Sequence, residues 1–177
     1  MPKHGIFFIL GILGLTVPAA ETVRYGLGRS ATVEDVARYG YLVGPKGTGL
    51  PKGRGTALEG RAIYNERCAA CHGLRGEGIN DYPPLAGGQG TLKNDHPLPT
   101  VGSYWPYATT VWDYVNRAMP YQNPSTLKPD EVYAVTAYLL SMNGIVPEKF
   151  ELNERTLPEV KMPNRDGFVA DPRPDIK

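Results

Sequence analysis

Gly60-Arg-Ala-Ile-Tyr-Asn-Glu-Arg-Cys-Ala-Ala-Cys-His-Gly73 decides how the rest of the chain is read. Within it, Cys68-Ala69-Ala70-Cys71-His72 brings two thiols and an imidazole into five residues. C-x-x-C-H spacing reads as a covalent haem c attachment: each thiol adds across one vinyl group, and the histidine lies under the iron as proximal ligand. The chain has 2 cysteines, and both are here. A structural zinc site normally takes four protein ligands, and no second cysteine pair follows to complete one. A thioredoxin-like dithiol would follow a strand in a βαβ setting, whereas this pair ends a helical pattern. One covalent haem c is therefore the expected cofactor.

Upstream of the motif, a helix is expected over Ala57 to Cys71. Tyr64 and Cys68 fall on one side of it, so that side delivers the first thioether. Gly60 lies on the same face, where a missing side chain lets another helix come close. Between Tyr41 and Thr56 the density of glycine and proline argues against a regular element and for a loop wrapped over the core. Thr32 followed by Asp35 signals a short helix over 32–38. At the start, Lys3 and His4, then Ile6 to Leu15, then Val17-Pro-Ala-Ala20 have the order of an export leader, 1–20. The apolar run is short for a membrane span, so a periplasmic protein with no stable span is expected.

Downstream, 73–99 is rich in turns. A helical pattern resumes from Tyr104 to Ala118, and a last helix starts at Pro129-Asp-Glu131 and stops at Asn143-Gly144. The segment 145–177, with its prolines and charges, reads as a tail on the surface. The division is then a leader 1–20, an extension 21–56, a haem domain 57–144 and a wrapping tail 145–177. The 21 glycines and 17 prolines fit long irregular connections around a small helical core. Formal net charge is +1, and loss of the leader removes Lys3. That balance gives no reason to expect nucleic acid or an anionic membrane as partner.

The remaining haem contacts follow from chemistry. A ligand histidine needs an acceptor on its other ring nitrogen, and the rigid Pro83-Pro84-Leu85 run can present the Pro83 carbonyl, with Leu85 packing on the ring. For the sixth ligand the candidates are Met119, Met142, Met162 and His96. Met119 is preferred, because it directly follows a helix and precedes Pro120, which steers its backbone away from helix. Met142 ends the last helix, Met162 lies in the tail and His96 in a polar segment. Tyr104 and Trp105 are candidates for the haem edge or propionates, and Arg75 and Arg117 for counter-charges. His/Met coordination occupies both axial positions and suits one-electron transfer without a catalytic residue. A haem enzyme or gas sensor with a displaceable sixth ligand is the alternative.

The order Gly60, Tyr64, Cys68-x-x-Cys71-His72, Pro83-x-Leu85, Met119-Pro120 and Val135-x-x-Tyr138-Leu139 resembles a class I cytochrome c over 57–143. The resemblance implies an all-α fold with crossed N- and C-terminal helices around one covalent haem, Gly60 and Tyr64 meeting Val135 and Tyr138, plus irregular extensions. A narrower resemblance runs from about 22 to 171. It rests on Gly28-Arg-Ser-Ala-Thr32, Gly47-Thr-Gly-Leu-Pro51, Val101-Gly-Ser-Tyr-Trp-Pro-Tyr107, Asp130-Glu-Val-Tyr-Ala134 and Lys161-Met-Pro-Asn-Arg-Asp-Gly-Phe168. These look like the cytochrome subunits of bacterial molybdenum sulfite or sulfane dehydrogenases. That likeness implies an exported molybdopterin partner and a downstream electron acceptor. Some members carry two haem domains and this chain has one attachment motif, which leaves open a dedicated subunit or a general acceptor.

Overall fold

The computed structural model describes residues 25–39 and 42–173, so the expected leader 1–20 lies outside the described residues. The helices are α1 (Val33–Tyr39), α2 (Ala57–Arg67), α3 (Ala69–His72), α4 (Ala108–Ala118) and α5 (Pro129–Met142). Two short strands, β1 (Arg54–Gly55) and β2 (Leu152–Asn153), pair antiparallel with Gly55 opposite Leu152. Single 3-10 turns occur at Thr91–Lys93 and Leu157–Glu159.

Local chemistry sets the helix starts. Thr56 caps α2 through a capping box: its own N–H donates to Glu59 Oε2 at 2.7 Å, and the Glu59 N–H donates to Thr56 Oγ1 at 3.4 Å. The Thr56 hydroxyl, which also donates to Glu59 Oε2 at 2.7 Å, and then the Thr56 N–H hold the Glu59 carboxyl below its usual range. Pro129 opens α5, with Asp130 and Glu131 in the first turn where the helix dipole favours negative charge. Asp130 also accepts from the Arg54 N–H at 2.8 Å and so ties β1 to the start of α5.

The core is the crossing of α2 over α5, with α4 against α5. Gly60 makes the crossing possible, since a Cβ there would run into the Ala134 carbonyl. Gly60 thus meets Ala134 and Tyr138, and the Tyr64 and Tyr138 rings stand 5.2 Å apart. Val135 turns to the cavity described below.

Four expectations change. The 41–56 segment contains a strand, because Gly55, lacking a side chain, lies against Ala134 while its backbone pairs with Leu152. The helix expected through Cys71 breaks at Cys68, whose φ of −124° separates α2 from α3. The helix expected from Tyr104 starts only at Ala108, since Pro106 disfavours helical backbone just before it. The tail is more than a surface strap: Leu152 and Leu157 are fully buried and Met162 nearly so. Its polar backbone is satisfied locally, as where Asn153 Oδ1 accepts from the Arg155 and Thr156 N–H groups.

Candidate functional site

The break at Cys68 puts both cysteines and His72 on one short turn, closed by the Cys71 and His72 N–H groups donating to the Cys68 carbonyl at 3.1 and 3.0 Å. After it the chain doubles back over the histidine. The Gly78 N–H donates to the His72 carbonyl at 2.8 Å, and the Leu85 N–H to the Gly76 carbonyl at 2.7 Å. This fold-back brings the Pro83 carbonyl 3.0 Å from His72 Nδ1. A carbonyl only accepts, so Nδ1 carries the proton and Nε2 keeps a free lone pair, as a metal-ligating imidazole requires.

His72, Cys68 and Cys71 line one cavity of about 470 Å³, together with Pro83, Leu85, Trp105 and Met119. Val111 and Val115 of α4, and Val135 and Leu139 of α5, supply aliphatic walls. Met119 is the C-cap of α4, extended at φ −122° and ψ 148°, with its N–H donating to the Val115 carbonyl at 3.2 Å. Trp105 packs edge-on to Tyr114 at 5.6 Å between ring centres.

Of the other sixth-ligand candidates, Met142, Met162 and His96 are not among the lining residues. Met162, in the tail, is buried elsewhere in the core, and His96 is exposed. Tyr104 also lies off the cavity, its ring against Phe168 at 5.3 Å. Arg75 pairs with Glu77 and Arg117 with Asp113, and neither lines the cavity.

Three contributors went unread in the sequence. Asn143, taken only as a helix stop, is buried; its Nδ2 donates to the Leu85 carbonyl at 3.0 Å and its Oδ1 accepts from the Gly87 N–H at 3.1 Å. It fastens the proline loop to the end of α5, a link between residues too distant in sequence to leave a pattern. Tyr121 and Gln122 line the cavity beyond Met119-Pro120, and their closeness to Met119 was the available signal.

The donor set fits a haem. Two thiols, one imidazole with a free nitrogen and one thioether meet an apolar cavity of ligand size. Burial pushes the Cys68 thiol up to about 11, which removes the thiolate character a reactive dithiol needs. Among the described residues no group of three His, Cys, Asp or Glu side chains is arranged to hold a metal ion, and no helix is long and apolar enough to cross a membrane.

Comparison with known proteins agrees with this geometry. A sequence model of the family described as "Cytochrome c" matches residues 57–143. A chain from the "Crystal Structure of the Sulfane Dehydrogenase SoxCD from Paracoccus pantotrophus" is 44% identical, with a TM-score of 0.77 over 85% of this chain and 74% of that one. A chain of the thiosulfate dehydrogenase TsdBA from Marichromatium purpuratum is 30% identical over 48% of this chain and 17% of its own, at a TM-score of 0.38. No curated protein matches. The crossed α2 and α5, the C-x-x-C-H turn on an apolar cavity and the similarity to the sulfane dehydrogenase chain together make this an electron-transfer protein of the class I cytochrome c family.

Proposed function

We propose that the chain carries one covalent haem c and works in the periplasm as the electron-accepting partner of a molybdenum-dependent sulfite or sulfane dehydrogenase, passing single electrons to a downstream acceptor. The observation that carries the haem assignment is the His72 Nδ1 contact with the Pro83 carbonyl, made beside Cys68, Cys71 and Met119 on one apolar cavity. The similarity to a sulfane dehydrogenase chain supports the choice of partner. The leader-like start supports export. Residues 57–144 form the haem domain in this reading, with 21–56 and 145–177 as extensions of it.

When bound, the haem supplies a one-electron Fe(III)/Fe(II) couple. Cys68 and Cys71 tether it, and His72 presents Nε2 while Pro83 keeps the proton on Nδ1. Met119 presents an uncharged sulfur, which favours the ferrous state and a higher potential than a second histidine would. Leu85, Trp105 and the valines of α4 exclude water. None of these side chains needs to move a proton or act as nucleophile. A methionine on the cavity favours this carrier over the alternative of a ligand-binding haem. Stopped-flow mixing of substrate-reduced dehydrogenase with the ferric protein should give rapid haem reduction. Reduction no faster than that of an unrelated cytochrome c would remove the specific partner.

A further inference from the structure

Pro83 and Pro84 have no N–H, so neither residue of this pair can fix its place by donating a backbone bond. The carbonyl that faces His72 is held from further along the chain. Leu85 and Ala86 are the next donors, and both turn to the Gly76 carbonyl, at 2.7 and 3.1 Å. Gly76 belongs to the same fold-back from His72, so these bonds tie the loop to itself. The link from the loop to a helix comes through Asn143, at the end of α5.

Asn143 is only 8% exposed, and both polar atoms of its side chain are used. Nδ2 donates to the Leu85 carbonyl at 3.0 Å and to the Leu139 carbonyl at 2.9 Å, and Oδ1 accepts from the Gly87 N–H at 3.1 Å. Two carbonyls on one side and an N–H on the other leave the amide a single orientation. Gln89 adds a second side-chain bond from the loop to the same residue, its Nε2 donating to the Asn143 carbonyl at 2.9 Å. Gly102 leaves room for the amide, since a Cβ there would strike Asn143 Oδ1. One position earlier, Met142 lays its sulfur over Gly76. Leu139 lies on α5, which crosses α2, and α2 runs into the turn that carries His72. Both ends of the His72–Pro83 contact are thus referred to one helix crossing, and Asn143 closes the circuit.

We infer that Asn143, seconded by Gln89, is a positioning residue for the redox centre: it holds the 85–87 backbone so that the Pro83 carbonyl keeps a strong hydrogen bond to His72 Nδ1, and through that bond it lowers the reduction potential. The inference rests on the covalent-haem reading above. A carbonyl on the far nitrogen of a ligand imidazole raises its basicity, and a more basic ligand favours the ferric state. Without the amide, Leu85 and Gly87 drift, the fixed φ of Pro84 carries the movement back to the Pro83 carbonyl, and the bond weakens. Water admitted beside the haem acts in the opposite sense, because a wetter site favours the more charged ferric form. The sign of the change therefore separates a lost Nδ1 bond from a leaking wall.

Two readings on the holoprotein test it. In the first, each haem exchanges one electron with an electrode through a soluble mediator. At an applied potential near the parent midpoint, Asn143→Ala should raise the ferrous-to-ferric ratio about threefold, which is about 30 mV at about 59 mV per tenfold for one electron. Gln89→Ala, at an exposed site, should move the ratio the same way by less, and it serves alone if Asn143→Ala loses its native haem spectrum. In the second, proton NMR of the diamagnetic ferrous protein, the His72 Nδ1–H resonance should move upfield in both variants, the mark of a weaker hydrogen bond. Leu157→Ala, at a fully buried site in the tail, should lower stability at least as much, yet leave the resonance in place and the ratio within about 1.5-fold of the parent. A ratio that stays level or falls, an unmoved Nδ1–H resonance, or an equal response in Leu157→Ala would overturn the positioning role while leaving the attached haem untouched. A purified protein that gives up its haem to acid-acetone would instead sink the covalent-haem reading on which the role rests.

Discussion

Pro83 has no N–H of its own, and its carbonyl is spent on His72 Nδ1 at 3.0 Å. The imidazole is therefore locked in one tautomer before any metal chemistry is considered. Tyr64 adds a second restraint on the same turn, its hydroxyl donating to the Gly73 carbonyl at 2.8 Å, and its buried phenol is pushed well above the usual range. Met119 is positioned by the end of α4 and by Pro120. Met119→Ala should abolish the weak ferric charge-transfer band at the red edge of the visible spectrum. The potential should fall by on the order of 100 mV, within the ~0.8 V span that axial ligands command. A retained band with low-spin iron and unchanged potential would exclude Met119 and direct attention to Met142 or Met162. Asn143→Ala should loosen the proline loop by leaving the Leu85 carbonyl and Gly87 N–H without this partner, costing about 2 kcal/mol in chemical denaturation. A loss below about 0.5 kcal/mol would show that water replaces the amide.

Helix α2 shows how a short element is made dependable. Its apolar face is narrow, with Ala57, Gly60 and Tyr64 as its buried residues, so the Thr56–Glu59 box matters to where it starts. Thr56→Ala should cost about 1 kcal/mol. Glu59 has its folded-state acidity strengthened, first by the Thr56 hydroxyl and then by the Thr56 N–H. A depressed carboxylate stabilises the fold above the unfolded value of about 4.3, and that contribution disappears as pH falls through the folded value. Denaturation midpoints should therefore drop below about pH 4 in the parent and drop less in Glu59→Gln. Parallel curves for the two proteins would show the box to be absent in solution. At the crossing itself, Gly60→Val would force α2 away from the Ala134 carbonyl, and a loss of about 3 kcal/mol is expected, because the obstacle is backbone that cannot rotate aside.

Across the whole molecule, the tail joins the rest of the fold at two places. Leu152 and Leu157 enter the core, with β2 paired to β1. Further on, Asn164 Nδ2 donates to the Tyr104 carbonyl at 2.7 Å and the Arg165 guanidinium lies 4.3 Å above the centre of the Tyr107 ring. These contacts brace the 104–107 segment, which carries Trp105 into the cavity wall. Leu157→Ala should cost 2–5 kcal/mol, as for a buried leucine anywhere in a core, read from the thermal midpoint. A cost near zero would make the tail a surface strap after all.

The sequence alone determined the chemistry: Cys68, Cys71 and His72 are contiguous, so their spacing is written in the chain, and Met119-Pro120 and the Pro83-Pro84-Leu85 run carry their meaning in local backbone restriction. It also determined the helix ends at Pro129 and Asn143, where capping and proline geometry are local effects. The tertiary structure decided everything that depends on distant partners. Trp105 lines the cavity while its neighbour Tyr104 turns to Phe168, and nothing in two adjacent aromatics distinguishes them until the tail is in place. The pairing of Gly55 with Leu152 and the burial of Leu157 likewise join residues about a hundred apart. Asn143 became the fastening of the proline loop only when α5 was laid across α2. Such contacts arise from burial between non-local surfaces, for which a single sequence shows composition but no periodicity.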